Sequence, residues 1–303
     1  MRVLISGGTG FVGNFIVKKL IEKNHEVLLL TRNTQKAIDK FGDSITAIEW
    51  KNYYDVLDLN PYGKIDSVIN LMGENIGNKR WSNEQKKEIY NSRVDATDTI
   101  IKSLKKSNIR PKSFISTSAS GFYGSNNQSH DETSVAGNDY LSKVCQGWEE
   151  VVTVNQDEYD RFVILRVGMV LGKGGAMDKM LLPFRLGVGG KLGSGEQHIS
   201  WIHVEDLANM YIQVLEDKNA KGIYNATATY SVTNNEFTKT LGKIIRKPTK
   251  FSVPKFVLNI VLGEMSSVVL GNTKVEPKKF KADNFHYLYP TLELALKDVV
   301  SKV

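Results

Sequence analysis

The sequence predicts an α/β fold, a doubly wound parallel sheet with a smaller, mainly helical C-terminal lobe. The chain opens with a short apolar segment, a glycine-rich turn and a helical segment. Apolar segments and segments of helical periodicity then alternate up to residue 170, which is typical of a parallel sheet covered by helices on both faces. Beyond Asn225 the pattern changes to helical segments punctuated by Pro248, Pro254, Pro277 and Pro290.

The opening turn determines the interpretation of the rest. Residues 3–5 are an apolar run suited to a buried parallel strand, and the segment Phe11–Glu22 has apolar residues at helical spacing. Gly7 and Gly10 lie between the strand and the helix, and Gly13 lies in the first turn of the helix. The three glycines are three residues apart. These glycines therefore occupy a strand-to-helix turn.

A turn of this kind binds phosphate. Glycines permit the tight turn and bring the backbone close to a pyrophosphate, while the helix N-terminus presents free N–H groups to the anion. We therefore predict a Rossmann-type dinucleotide site; a purely structural tight turn is the alternative. The predicted contacts in this turn are Gly7, Thr9, Gly10, Phe11, Val12 and Gly13.

The end of the second strand indicates which dinucleotide binds. Residues 26–31 form this strand, and Thr31, Arg32 and Asn33 follow where an acidic residue would bind the ribose of NAD. Arg32 would instead form charge-assisted hydrogen bonds with the 2′-phosphate of NADP. We predict NADP (NADPH) as the cofactor, with a solvated arginine at a strand end as the alternative.

The remaining pattern places further strands and helices. Strands are predicted at 44–50, 67–71, 113–117 and 161–167, and helices at 82–106 and 138–154, with Ser82 as an N-cap. Because ligands bind outside the carboxyl ends of parallel strands, Leu71, Met72 and Gly73 are expected near the cofactor. The C-terminal part is predicted to be helical from 201, at 233–245, at 253–270 and at 292–300.

Length and composition limit the class of protein. The 303 residues suffice for a nucleotide-binding domain at 1–228, with a substrate-loop insertion at about 172–200, and a lobe at 229–303 that closes over the cofactor. One cysteine, Cys145, and five scattered histidines predict no disulfide and no metal site. The net charge of +7 is assigned to solvated helix faces or to attraction of an anionic ligand. We expect a cytoplasmic monomer or homodimer with a small-molecule substrate and neither nucleic acid nor a membrane as partner.

These segments together resemble the extended short-chain dehydrogenase/reductase superfamily. The resemblance rests on the glycine turn, the serine-rich stretch 116–124 and the segment 203–208, His-Val-Glu-Asp-Leu-Ala. Within the superfamily the chain is similar to the "epimerase family" proteins with a C-terminal domain of unassigned function, through the segments 70–75, 91–94, 166–172, 200–203, 262–265 and 289–290. The resemblance implies nicotinamide hydride transfer on a hydroxyl- or carbonyl-bearing substrate, such as a nucleotide sugar.

The resemblance also implies a catalytic serine, tyrosine and lysine. Ser118 and Tyr140 occupy the first two positions, but Val144 stands where the lysine is expected and Lys143 lies one place early. The catalytic prediction is therefore Ser118, Tyr140 and Lys143. The alternative is a surface tyrosine and a solvated lysine in a non-catalytic NADP-binding sensor or partner-binding protein.

Two arginines complete the predicted site. Arg93, in the long helix, is predicted to approach the nicotinamide side or a substrate phosphate, unless it is a surface charge. Arg166, at a strand end where a core would not accept a charge, is predicted to have a partner or a phosphate. His203 is predicted to cap or pack its helix rather than act as a base.

Overall fold

Residues 1–302 are described by the structure, a computed structural model, and form fifteen strands and eleven α-helices. The strands are β1 (Arg2–Ser6), β2 (Glu26–Thr31), β3 (Ile45–Glu49), β4 (Ser67–Asn70), β5 (Ser113–Ala119), β6 (Ser129–His130), β7 (Arg161–Val167), β8 (Met169–Leu171), β9 (Gly190–Leu192), β10 (His198–Ile199), β11 (Trp201–His203), β12 (Gly222–Ala226), β13 (Val232–Thr233), β14 (Phe251–Val253) and β15 (Lys274–Val275).

The helices are α1 (Phe11–Glu22), α2 (Thr34–Phe41), α3 (Asn83–Lys106), α4 (Tyr140–Val154), α5 (Ala176–Arg185), α6 (Val204–Glu216), α7 (Asn234–Ile245), α8 (Lys255–Leu262), α9 (Ser266–Leu270), α10 (Lys278–Ala282) and α11 (Leu292–Lys302). No helix within residues 1–302 combines the length and the apolarity needed to cross a bilayer.

Seven of the strands form one parallel sheet in the order β12-β7-β5-β4-β1-β2-β3. On either side of β1, Ile5 pairs with Leu29 of β2 and with Ile69 of β4. The chain winds one way from β1 to β3 and the other way from β4 onward. This reversal opens a crevice at the carboxyl ends of β1 and β4, where such folds bind ligands. The predicted doubly wound α/β fold is confirmed.

Helices cover both faces of the sheet with apolar side chains. On one face, Ile16 and Leu20 of α1 pack with Leu207 and Tyr211 of α6 in a cluster that includes Ile5. On the other face, residues of α3 and α4 pack against Leu4, Phe114 and Ile164 in a second cluster. Since both faces are covered, the sheet strands are buried and apolar, as parallel strands require.

The C-terminal lobe has its own core, which draws on the insertion and on the last quarter of the chain. Leu181 of α5, Phe237 of α7 and Leu296 of α11 surround Trp201, which is fully buried. Asp206, in the first turn of α6, accepts hydrogen bonds from the amides of Leu288 and Tyr289 at 2.7 and 3.0 Å. Burial raises the pKa of this carboxyl, and its two bonds hold the lobe to the sheet domain.

Several predicted boundaries agree with the structure, two predictions are wrong and one strand was not predicted. The bounds of α1, β2 and β7 are as predicted, and the Ser82 hydroxyl accepts from the amide of Gln85 at the start of α3. Residues 201–203 form β11 beside β8, so α6 begins only at Val204. The segment 253–270 is not one helix, because the backbone at Gly263 has φ +60°. The seventh sheet strand, β12, was not predicted.

Candidate functional site

The glycine turn at the carboxyl end of β1 has no room for side chains. Gly7 has φ +70°, and a Cβ there would lie 2.9 Å from the carbonyl oxygen of Leu71. A Cβ on Gly13 would lie 2.3 Å from the carbonyl oxygen of Gly7, which also accepts from the amide of Gly10 at 3.0 Å. Contacts this short exclude even alanine without a backbone shift, so the turn is fixed by the absence of side chains.

The N-terminus of α1 is open to an anion. Gly10 is the N-cap residue, and no side chain of the described chain caps the helix there. The first-turn amides therefore lack intrahelical acceptors and carry the positive end of the helix dipole. The Phe11 ring is held by a second glycine-rich loop, because a Cβ on Gly172 or Gly175 would lie 2.8 or 2.5 Å from it.

Arg32 is exposed at the end of β2, where the second strand meets the turn. Its neighbours position the backbone: the Thr31 hydroxyl accepts from the amide of Asn33 at 3.2 Å, and the Asn33 side chain accepts from the amide of Lys36 at 2.9 Å to cap α2. Within residues 1–302 Arg32 forms no ion pair, so its guanidinium is available to a ligand.

The sequence interpretation missed a lysine that contacts the glycine turn. The ammonium of Lys40 donates to the carbonyl oxygen of Thr9, in the glycine turn, at 3.2 Å. Burial, together with the charges of Lys18 and Lys36, lowers the pKa of Lys40. A cation at this turn would attract a phosphate. The available signal was the four-residue spacing of Lys36 and Lys40 on one face of α2.

Buried polar side chains join the carboxyl ends of β1 and β4 to two helices. The Asn70 carboxamide accepts from the Ser6 hydroxyl at 2.7 Å and donates to the Thr97 hydroxyl at 2.7 Å. The Trp148 indole also donates to Thr97, at 3.0 Å. The Met72 amide donates to Asn70 at 3.2 Å. These bonds hold the segment 71–73 at the crevice, where it was predicted to contact the cofactor.

Arg93 is a cation without a counter-charge next to this segment. Its guanidinium donates to the carbonyl oxygens of Ile89 and Glu74, at 2.9 and 3.0 Å, and no carboxylate within residues 1–302 pairs with it. A Cβ on Gly73 would lie 2.9 Å from its central carbon, so the guanidinium borders the crevice. Burial lowers the pKa of Arg93, and the part of the guanidinium that carbonyls leave free can face an anion or an oxygen of a ligand.

Tyr140 is the first residue of α4 and is half-buried under the C-terminal lobe. Its hydroxyl donates to the carbonyl oxygen of Lys86 at 2.7 Å, and the Trp81 ring packs edge-on 5.2 Å away. Burial raises the pKa of Tyr140 to about 12, although the charge of Arg93 opposes the shift. The phenol is therefore neutral at pH 7 and can act as a proton donor.

Ser118 and Arg166 are brought together in a buried network that excludes Tyr140. The Ser118 hydroxyl donates to Glu149 at 2.6 Å, and Arg166 donates to both oxygens of Glu149 at 2.9 and 2.7 Å. Arg166 also donates to the Tyr123 hydroxyl at 3.0 Å, which in turn donates to Asn225 at 2.7 Å. The network links β5, α4, β7 and β12. Arg166 was predicted to have a partner, and in the structure this partner is Glu149.

Lys143 lies on the exposed side of α4, away from this network. Val144 is 2% exposed and packs with Trp81 and Ile89, so a lysine ammonium at 144 would be buried among apolar side chains. The structure thus brings Tyr140 close to Arg93 and leaves Lys143 in solvent. His203 caps α6, as predicted, by accepting from the Glu205 amide, and burial lowers its pKa to about 4.

Comparisons with protein families and known proteins show what the whole chain is similar to. Residues 3–227 match the model of the NAD dependent epimerase/dehydratase family, and residues 253–299 match a domain of unknown function, DUF1731. Epimerase family protein SDR39U1 of Mus musculus is 38% identical, covering 99% of this chain and 100% of its own. The chloroplastic SDR39U1 homolog of Arabidopsis thaliana is 36% identical, covering 99% and 87%.

Solved structures give the same result. Human epimerase family protein SDR39U1 (isoform 2), crystallised with NADPH, superimposes with a TM-score of 0.89 at 34% identity and full coverage of both chains. UDP-glucose 4-epimerase of Thermotoga maritima, with UDP-glucose, has a TM-score of 0.81 at 18% identity over 99% of this chain and 98% of its own. The second likeness concerns the fold alone.

The buried network predicts a large stability effect at Glu149. Changing Glu149→Leu leaves Arg166 charged and unpaired in the interior, so we expect the free energy of unfolding to fall by about 3 to 5 kcal/mol. Glu150→Leu is the matched control, since its side chain is exposed on the next position of α4. Urea denaturation followed by tryptophan fluorescence measures both. Equal midpoints for the two variants would contradict a structural role for the ion pair.

Proposed function

Because the chain belongs to the NAD dependent epimerase/dehydratase family, we propose that it binds NADPH and reduces the carbonyl group of a small molecule. When bound, NADPH supplies a hydride to a carbonyl carbon. The chain must then hold the dinucleotide, position the substrate and provide a proton for the carbonyl oxygen. The epimerase alternative begins instead with removal of a hydroxyl proton, which needs a base.

The cofactor part of the proposal rests on charge at the carboxyl end of β2. Arg32 and Lys40 would bind the 2′-phosphate, and the amides at the start of α1 would bind the pyrophosphate. An acidic residue, which would bind the ribose of NAD and repel this phosphate, is absent from the stretch 31–38. The human relative was crystallised with NADPH, which supports the same choice.

The choice of reduction over epimerisation rests on the neutral phenol of Tyr140. Burial raises the pKa of Tyr140 to about 12, so the phenol is protonated at pH 7 and a tyrosinate base is disfavoured. A neutral phenol beside the guanidinium of Arg93 is suited to protonate an oxygen that gains negative charge. In this proposal Arg93 supplies the cation that the resemblance assigns to a lysine.

The other predicted catalytic residues stay predictions. Ser118 would have to exchange its bond to Glu149 for a bond to substrate, and Lys143 would have to turn inward from solvent. The lobe at 229–303 is proposed to cover the substrate, through Glu264, which pairs with Lys86 at 2.7 Å beside Tyr140. Cytoplasmic location and a monomeric or homodimeric state also stay predictions.

A second function, NADPH binding without catalysis, is favoured by one observation. Val144 fills the lysine position with a buried apolar side chain, and Ser118 is bound to a carboxylate. A panel of aldehydes, ketones, quinones and UDP-4-ketosugars, with NADPH oxidation measured by absorbance, separates the two functions. Tight NADPH binding without oxidation across the panel would support a sensor and overturn the reductase.

Arg32→Asp tests the choice of cofactor. The variant replaces a cation by a carboxylate that repels the 2′-phosphate, so we expect affinity for NADPH to fall at least tenfold and affinity for NADH to be kept or improved. Titration of NADH and NADPH by calorimetry measures both. Lys218→Asp, with the same charge change beyond α6 at the opposite edge of the sheet, should bind like the unaltered protein. Equal affinity of the unaltered protein for both cofactors would refute the role of Arg32.

Tyr140→Phe tests the proton donor. With a substrate found in the panel, we expect kcat to fall by about 10² to 10⁴ while NADPH affinity is unchanged. Tyr62→Phe, near the amino ends of β1, β2 and β3, is the matched control. The unaltered protein should show a kcat that is flat from about pH 6 to about pH 9, because the active form is protonated below a pKa of about 12. A tenfold rise in kcat per pH unit would instead identify a base.

A further inference from the structure

The insertion and the C-terminal lobe carry exposed apolar side chains that the proposed site does not use. On α8, Phe256, Ile260 and Val261 are 66, 70 and 60% exposed. Leu182, Leu186 and Val188, at the end of α5, are 61, 69 and 55% exposed. With Phe251 of β14, these residues are here called the apolar face. Isolated exposed apolar residues are normal, but a group of this size requires an explanation.

A two-stranded ribbon connects the parts of the chain that carry the apolar face. The loop after α5 leads directly into β9, which pairs in parallel with β14, so that Gly190 lies opposite Phe251. A Cβ on Gly189 would lie 2.4 Å from the Phe184 ring, which holds the end of α5 against this ribbon. Pro254 then leads from β14 into α8, where Leu258 is buried while Phe256, Ile260 and Val261 are exposed.

Cations border the apolar face, and acidic residues are missing from the chain around it. Between Glu236 and Glu264 the sequence has six lysine or arginine residues and no aspartate or glutamate. Arg246, Lys247, Lys250 and Lys255 are exposed, and none of them forms an ion pair within the part of the chain described. The surface is therefore apolar at its centre and positively charged at its border.

We propose that the apolar face binds the anionic surface of a phospholipid bilayer. Phe, Leu, Ile and Val side chains would enter the headgroup region while the lysines contact lipid phosphates, as in interfacial helices. A second copy is disfavoured, because a two-fold contact would oppose the two cationic borders. A protein partner is disfavoured by composition, since protein interfaces are enriched in Tyr, Trp and Arg and depleted in Lys. The expectation that no membrane is a partner was based on spanning segments and did not address a surface contact.

Co-sedimentation of the full chain with vesicles tests the proposal. We expect binding to vesicles of phosphatidylcholine with about 30% phosphatidylglycerol to exceed binding to pure phosphatidylcholine at least tenfold. Raising salt from about 50 to about 500 mM should reduce binding at least fivefold, because exposed charges are screened. Equal binding to both vesicles, or binding to neither, would overturn the proposal.

Two sets of variants distinguish vesicle binding through the apolar face from nonspecific adsorption. Phe256→Ser with Ile260→Ser should reduce vesicle binding at least fivefold, and so should Lys250→Glu with Lys255→Glu. Val135→Ser with Val154→Ser removes two apolar side chains that are 84 and 69% exposed outside the face, and should change nothing. Unchanged NADPH affinity and melting temperature verify that each variant is folded.

Sedimentation velocity tests whether the apolar face binds a second copy of the chain instead. A protein that is monomeric without vesicles supports the proposal. A dimer that the Phe256→Ser and Ile260→Ser changes dissociate would assign the face to a second copy and overturn it. This outcome is independent of the reductase proposal, since vesicle binding and oligomeric state are measured without substrate.

Discussion

The close approach of α1 to the end of β1 is the constraint on which the rest of the structure depends. The Cα of Gly13 is so close to the carbonyl oxygen of Gly7 that a methyl group at 13 would lie 2.3 Å from it. This approach sets the start of α1 at the crevice, and it brings the first-turn amides to the switch between β1 and β4. The carboxyl end of β4 is fixed by the same turn, because the Leu71 amide donates to the Ser6 carbonyl oxygen at 3.3 Å. Each later element of the site is positioned relative to this contact.

Local patterns made much of the sheet domain predictable. The glycine spacing and the apolar periodicity gave the bounds of α1, and the apolar runs gave β2 and β7, because these elements are specified by their own residues. The seventh strand, β12, begins with Gly222 at φ +76° and contains the polar Asn225, which is buried only because Tyr123 and Glu276 bond it. Trp201–His203 forms a strand for a similar reason, since its partner β8 is thirty-two positions earlier. Elements that depend on distant partners leave no local signal.

The same reasoning explains which parts of the site could not be predicted. Ser118, Glu149 and Arg166 are 31 and 17 positions apart, and their network exists only because α4 crosses β5 and β7. Arg166 was recognised as a charge that needs a partner, but the partner itself is specified by the fold. The sequence showed that the lysine lies at 143 instead of 144, but not what surrounds position 144. Position 144 faces Trp81 and Ile89 of another segment, where a cation would be desolvated without a counter-charge.

The contact between Tyr140 and Lys86 determines how the lobe can affect the chemistry. The phenol donates to a backbone carbonyl of Lys86, whose ammonium lies 5.3 Å from the Tyr140 ring centre and pairs with Glu264 of the lobe. To protonate a substrate, the phenol must leave this carbonyl for a new acceptor. One neutral hydrogen bond replaces another, and each contributes only about 0.5 to 1.5 kcal/mol net. The exchange therefore costs little compared with a reaction barrier.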